Sequence, residues 1–136
     1  MAEVRWDSWS LVEDSIRGSG TVQLVAVCFA QGWNPPALFA AQMMEKVRMG
    51  GDVGQLAQIF IVDADKEMAA VWELGVVATP AIAVYSKGKA MTFRRGDRVD
   101  DIKLVGDQIG DQEAIVGVLR SAKEASRGGG TIVNLA

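Results

Sequence analysis

The side chains able to do covalent or metal chemistry are few. The 136-residue chain contains one cysteine, Cys28, and no histidine. Without histidine there is no His-based catalytic triad, no His metal ligand and no imidazole general base. A single cysteine forms neither an internal disulfide nor a thiolate cluster for zinc. We therefore expect no metal and no cofactor, and a soluble protein in a reducing intracellular compartment.

The surroundings of Cys28 in the sequence bear on its reactivity. It lies in the run Val22 to Ala30, which is apolar and rich in β-branched residues. Such a run predicts a strand buried on both faces. Cys28 is then either a small hydrophobic residue of the core or a reactive monothiol. The first interpretation is favoured, because a buried thiol in an apolar strand has a raised pKa.

Other polar and aromatic residues admit two interpretations each. Asp63 and Asp65 are either paired acids or, as we favour, the source of a helix cap. The basic residues near the end of the chain's hairpin form either a solvated face, which we favour, or a contact for RNA or an acidic partner. Those residues are Lys87, Lys89, Arg94, Arg95 and Arg98. Among the tryptophans, Trp72 is predicted in the core and Trp33 in a partly exposed loop.

Helices and strands alternate along the chain. Helices are predicted from Asp7 or Ser8 to Gly18, from Pro36 to Gly50, over Lys66 to Leu74, and from Asp111 to Arg127. Strands are predicted over Val22 to Ala30, Ile59 to Val62, Ala81 to Tyr85, Met91 to Arg94 and Thr131 to Val133. The third and fourth strands are joined at Lys87-Gly88-Lys89, a hairpin signal.

The α-β-α-β-α-β-β-α order predicts a single α/β domain over 1–136. Parallel crossovers require a sheet covered by helices on both faces, and the closing hairpin makes the sheet mixed. No apolar run approaches the ~20 residues of a membrane span, and the first residues lack a signal-peptide pattern. The net charge of −3 lacks the basic excess of autonomous nucleic-acid binders.

Two loops in this order resemble those of thioredoxin. Phe29 to Ala37 resembles the active-site loop of that family, which carries Trp-Cys-Gly-Pro-Cys. Here Asn34 and Ala37 stand at the two cysteine positions, and Cys28 stands where thioredoxins place a buried acid. Val77-Ala78-Thr79-Pro80-Ala81 resembles the loop whose cis-proline faces the site. The resemblance implies a thioredoxin-like fold, with a central mixed β-sheet and helices on both faces, and a cis Thr79–Pro80 bond. Thiol–disulfide exchange needs a low-pKa thiolate and a resolving thiol, and neither position supplies one.

Within thioredoxin-like proteins, the chain resembles the Dim-type component of the spliceosomal U-five particle and tri-snRNP. An insertion at about 97–110, between the last strand of the predicted sheet and the last helix, and a tail at 128–136 follow the family plan. The short matching motifs are Trp33-Asn34-Pro35, Val62-Asp63 and Glu73-Leu74.

This resemblance implies a nuclear, non-catalytic protein that acts in pre-mRNA splicing by binding other proteins of the U-five/tri-snRNP. RNA contact would be secondary, with no small-molecule substrate and no membrane. The implied pseudo-active-site or partner-binding residues are Trp33, Asn34, Pro35, Pro36, Ala37, Thr79 and Pro80. A further partner surface is Arg94, Arg95, Arg98 and Arg127. Two alternatives stay open: a redox-inactive thioredoxin-like adaptor or holdase outside the spliceosome, and a monothiol enzyme that uses Cys28.

Overall fold

The computed structural model describes residues 3–18, 24–50, 57–76, 78–95, 98–99, 102–105, 109 and 111–135. These residues form helices and strands in the predicted alternation. In chain order they are α1 Trp9–Gly18, β1 Leu24–Ala30, α2 Pro35–Met49, β2 Ala57–Asp63, α3 Met68–Leu74, β3 Ala81–Ser86, β4 Lys89–Ala90, β5 Thr92–Arg95, β6 Arg98–Val99, β7 Leu104–Val105, α4 Gln112–Arg127 and β8 Ile132–Leu135. None of the helices in these residues is long and apolar enough to cross a membrane.

The central sheet is mixed, as the sequence predicts. Its strand order is β2-β1-β3-β4, and β7 also pairs with β3. Strand β1 runs parallel to β2, with Cys28 opposite Ile61, and antiparallel to β3, with Cys28 opposite Ile82. On the outer edge of β2, Asp7 forms an isolated parallel bridge with Val62. The N-terminal segment therefore extends the sheet by one more position.

Helices cover both faces of this sheet because β1 is apolar on both. All seven of its side chains are buried. Leu24, Ala26, Cys28 and Ala30 pack in one core with buried residues of α2 and α4. Val25, Val27 and Phe29 pack in the other with buried residues of α1 and α3. The predicted α/β class and two-sided packing are confirmed.

Several helix ends follow the sequence signals. The Ser8 hydroxyl accepts the Leu11 N–H at 3.2 Å at the start of α1. The Asp111 carboxylate accepts the Ala114 N–H at 3.0 Å at the start of α4. Gly75 ends α3 with φ of 63°, a left-handed conformation that glycine adopts without the steric cost of a Cβ.

The prediction that Asp63 or Asp65 caps a helix from Lys66 is wrong. Helix α3 begins at Met68, and its N-cap, Glu67, makes no side-chain cap bond. The Asp63 carboxylate instead accepts the N–H of Asp65 at 2.9 Å, and the Asp63 carbonyl accepts those of Lys66 and Glu67. Asp63 thus stabilises the turn before the helix. The Asp65 side chain takes no part in capping and can contact other residues.

The hairpin is shorter than predicted. Its pairing is limited to β3 with the two-residue β4, followed by one bond from the Met91 N–H to the Val84 carbonyl at 2.8 Å. The chain then turns Met91 and Phe93, both fully buried, into the core beneath α4. Strand β5 joins a second sheet of order β6-β5-β8. It pairs in parallel with β8, which lies in the predicted 128–136 tail.

A nearly buried ion cluster fastens the N-terminal segment to α2 and β2. The Arg48 guanidinium donates to Asp7 at 2.7 Å and to Glu45 at 2.7 Å through two nitrogens. It also donates to the carbonyls of Arg5 and Ile59. The Arg48 side chain is only 11% exposed. The hydrogen bonds from Arg48 hold the pKa of Glu45 below its ordinary value of 4.5.

Replacing Arg48 by methionine is expected to lower the free energy of unfolding by about 3–5 kcal/mol, because two nearly buried carboxylates lose their partner. Urea denaturation at pH 7 measures the change. The control is Arg17→Met, which removes an exposed pair with Asp14 and should cost less than about 1 kcal/mol.

The pH dependence of the stability of Arg48→Met distinguishes the loss of the ion pair from the loss of side-chain packing. The pKa of Glu45 is lowered on folding, so the ion pair stabilises the protein above pH 4.5 and that contribution is lost as pH falls through the folded pKa. In the variant, protonation of Glu45 relieves the uncompensated charge. The difference in the free energy of unfolding between the wild type and Arg48→Met should therefore become smaller as the pH falls. A constant difference would contradict the electrostatic account.

Candidate functional site

The motifs that the sequence singles out meet at one edge of the sheet. Parallel strands β1 and β2 end at this edge, and antiparallel β3 begins there. The loop of residues 31–34 after β1, the turn after β2 and the loop before β3 therefore lie side by side. We call the segment 31–37 the Trp33 loop. The Thr79–Pro80 peptide bond that faces it is cis, as predicted.

No thiol stands in the Trp33 loop. Asn34 is the N-cap of α2 with extended backbone angles, and prolines occupy the first two helical positions. Ala37, at the second cysteine position of the resemblance, is fully buried. The Leu38 N–H donates to the Asn34 carbonyl at 2.8 Å. Because Pro35 and Pro36 have no backbone N–H, this helix start carries two fewer donors than an ordinary one.

Side-chain hydrogen bonds join the Trp33 loop to the cis-proline loop. The Thr79 hydroxyl donates to the Gln31 side-chain oxygen. The Asn34 amide donates to the same oxygen and to the Thr79 hydroxyl, both at 3.4 Å. These contacts hold the loop without a disulfide.

The network extends to Asp65 and ends on an exposed indole. Gln31 Nε2 donates to Asp65 Oδ1 at 3.4 Å, and Trp33 Nε1 donates to Asp65 Oδ2 at 2.5 Å. Trp33 is nevertheless 71% exposed, which confirms the prediction of partial exposure. The ring is fixed at its N–H edge while most of its surface faces solvent.

An open cavity of about 400 Å³ lies beside this network. Gln31, Trp33, Asn34, Asp65 and Thr79 line its polar side. Its apolar side is formed by Ala64, Met68, Val71, Val76 and Ala78. This volume lies within the range of ordinary ligand pockets. The arrangement suits reversible, non-covalent recognition.

Sequence reasoning misses two residues here. Asp65 is interpreted as a cap but belongs to the site, because Asp63 makes the turn instead. Trp72 is predicted in the core but is 79% exposed. It lies four residues after Met68, on the same side of α3, and Met68 is also exposed. The helical period could have predicted this exposure. Ala70 and Leu74 are the buried residues of α3, and Trp72, midway between them in sequence, therefore points away from the core.

Cys28 lies away from the cavity. Its side chain is fully buried in the core shared with α2 and α4, and this burial raises the pKa of the thiol to about 12. On the order of one thiol in 10⁵ is ionised at pH 7. The single cysteine belongs to no redox pair, and its burial argues against the monothiol hypothesis.

The predicted basic surface is described only in part. Arg94 is half-buried, whereas the side chains of Arg95 and Arg98 lie outside the described residues, as does half of the 97–110 insertion. Arg127, at the end of α4, is exposed and lies 3.7 Å from Glu124. Its use as a partner contact stays a prediction. Among the described residues no cluster of three or more potential metal ligands occurs.

Solved thioredoxins share this architecture. Malassezia sympodialis thioredoxin superposes with a TM-score of 0.61 over 90% of this chain and 96% of its own, at 16% identity. Chloroplastic thioredoxin z superposes with a TM-score of 0.65 over 92% of this chain and 97% of its own, at 21% identity. Plasmodium falciparum thioredoxin superposes with a TM-score of 0.60 over 83% of this chain and 92% of its own, at 18% identity. No protein-family model and no curated protein sequence matches the chain. The protein therefore has a thioredoxin-like fold.

Burial predicts that Cys28 is almost inert in the native state. Dithionitrobenzoate should label it at a rate that follows the fraction of opened molecules and rises steeply across the urea transition. Cys28→Ala should lower the free energy of unfolding by about 1 kcal/mol without exposing any other reactive group. Stoichiometric labelling of the native protein within seconds at pH 7 would contradict this assignment.

Proposed function

We propose that the protein is a non-catalytic interaction component of the spliceosomal U-five/tri-snRNP that acts in pre-mRNA splicing. The observation that carries the non-catalytic part is the chemistry of the Trp33 loop. An amide and a methyl group stand at the two cysteine positions, and the only thiol is fully buried in strand β1. The exposed surface of the loop is an indole, a side-chain type enriched in binding hot spots.

The spliceosomal part rests on the sequence resemblance and is supported by the additions to the fold. The 128–136 tail contributes β8, which pairs along its length with β5. The 97–110 insertion contributes β7, which pairs with β3, as well as β6. These additions place extra ordered surface beside the sheet. A partner protein would contact this surface together with the Trp33 loop, with RNA contact secondary.

The redox-inactive adaptor or holdase outside the spliceosome is the second candidate. It is favoured by the exposed apolar side chains of α3, where Met68 is 52% and Trp72 is 79% exposed. Exposed apolar side chains of this kind suit transient capture of unfolded chains. The two functions differ in what the protein binds in cells, so identification of its partners separates them.

Disulfide reductase activity is expected to be absent. With thioredoxin reductase and NADPH, the protein should not accelerate the precipitation of insulin by reduction, because Cys28 has neither an exposed thiolate nor a resolving partner. Asn34→Cys/Ala37→Cys is the informative comparison, since it restores both thiols to the loop. Turnover by the wild-type protein that disappears in Cys28→Ser would overturn the assignment.

Substitution of the Trp33 loop is expected to weaken partner binding without unfolding the protein. Tagged Trp33→Ser and Arg127→Ala should each recover several-fold less U-five protein and small nuclear RNA from nuclear extract. Thermal stability should stay within about 0.5 kcal/mol, because both side chains are exposed.

The matched controls are Met49→Ala and Arg17→Ala. Met49 is exposed at the far end of α2, about 21 Å along the helix from its first residue, Pro35, at 1.5 Å per residue. Arg17 is an exposed arginine on α1. Both controls should recover wild-type amounts. Recovery of chaperone clients or another assembly, with no splicing component, would support the second candidate and reject the first.

A further inference from the structure

We propose that the cavity beside the Trp33 loop recognises an arginine side chain of a partner protein. This inference rests on the proposed function as an interaction module and adds the chemistry of the group that is bound. Three features carry it: a carboxylate with no cationic partner among the described residues, an exposed indole held at its edge, and an apolar wall.

The carboxylate is Asp65. It is the only ionisable side chain among the described residues that line the cavity. The ion pairs among the described residues use other carboxylates, those of Asp7, Asp14, Glu45 and Glu124. The hydrogen bonds that Asp65 accepts through its side chain come from the neutral groups of Gln31 and Trp33. A carboxylate has about four acceptor positions, so two remain for a ligand, and no cation among the described residues pairs with Asp65.

The indole is Trp33. Its N–H edge is fixed on Asp65 at 2.5 Å, yet the side chain is 71% exposed and lines the cavity. The ring faces therefore supply most of the exposed area. A tryptophan face attracts cations more strongly than the other aromatic side chains. Donation of the N–H to a carboxylate polarises the ring further in the favourable direction. The bond thus holds a negative charge and an aromatic face next to each other.

The apolar wall favours arginine over a small cation. Met68, Val71 and Val76 line the same cavity as the polar network and would cover the methylene stem of a long side chain. A planar guanidinium can stack on an indole and donate two parallel hydrogen bonds to a carboxylate, whereas an ammonium cannot. An anion is disfavoured, because Pro35 and Pro36 remove two of the donors of the helix start at this site.

The network that joins the loops makes this arrangement rigid. Thr79 and Asn34 hold Gln31, and Gln31 in turn contacts Asp65. A ligand would therefore meet a preformed site, with little loss of side-chain entropy on the protein's side.

The test uses two blocked pentapeptides that differ only in the charge of one side chain. They are acetyl-Gly-Leu-Xaa-Leu-Gly-amide with arginine or with its neutral isostere citrulline at Xaa. Binding to the full-length ¹⁵N-labelled protein is followed by the indole N–H resonance of Trp33, assigned through Trp33→Phe. Titration to about 10 mM peptide reaches millimolar dissociation constants, near −4 kcal/mol.

The arginine peptide should shift the Trp33 resonance saturably and bind at least tenfold more tightly than the citrulline peptide. Asp65→Asn keeps an acceptor for the indole N–H and removes the charge, so it should weaken arginine binding at least tenfold and leave citrulline binding unchanged. Trp33→Leu lacks the Trp33 indole resonance, so its binding is followed by the backbone amide resonances of Gln31 and Asp65, and it should also weaken arginine binding. Asp14→Asn, an exposed carboxylate on α1, should bind both peptides as the wild type does.

Equal affinity for the two peptides, an unchanged affinity in Asp65→Asn, or no shift of the Trp33 resonance would each overturn the inference. The remaining resonances of each variant report whether it is folded. Peptide binding by purified protein and recovery of splicing proteins from extract are independent readouts. Failure of the first with success of the second rejects arginine recognition and retains the interaction function, and the reverse result rejects the spliceosomal assignment alone.

Discussion

The burial of β1 on both faces is the constraint on which the rest of the structure depends. Each of its seven side chains is apolar and enclosed, so the strand needs a layer of helices on either side. It also fixes the position of the site. The strand ends at Ala30, in register with Asp63 of β2. Because every residue of β1 is buried, polar side chains can follow only after Ala30. Gln31 and Asp65 therefore come close together because the two neighbouring strands end at the same level.

The sequence predicts this framework well because its signals are local and strong. Runs of buried β-branched residues, glycine stops and polar caps determine most element identities without knowledge of the tertiary structure. The Asp111 cap and the Gly75 stop are examples where one residue decides a boundary. The position of the Trp33 loop follows in the same way, since a proline-marked helix start directly after a buried strand leaves little choice of path.

What the sequence does not reveal depends on contacts between distant residues. Two aspartates two positions apart are equivalent as helix-cap candidates, and only the fold shows that Asp63 makes the turn while Asp65 bonds Trp33. The path of β5 is set by the burial of Met91 and Phe93 beneath α4 and by pairing with a tail about 40 residues later in the chain. The Arg48 cluster likewise joins segments that no local pattern connects.

The Trp33 loop shows how a thioredoxin-like fold can hold its two loops together by side-chain hydrogen bonds, without a disulfide. A thiolate at a helix start requires donors that stabilise negative charge, whereas here prolines occupy the first two helical positions and the side chain of the N-cap residue Asn34 makes no cap hydrogen bond. The contacts that stabilise this loop do not lie at the helix terminus. They form a network of side-chain hydrogen bonds that spans two loops and ends on Asp65. This network holds a carboxylate and an exposed indole next to each other in a cavity that apolar side chains also line. The proposed recognition of an arginine would depend on complementarity to Asp65 and Trp33 and not on a covalent intermediate, so it would be reversible and independent of the cellular redox state.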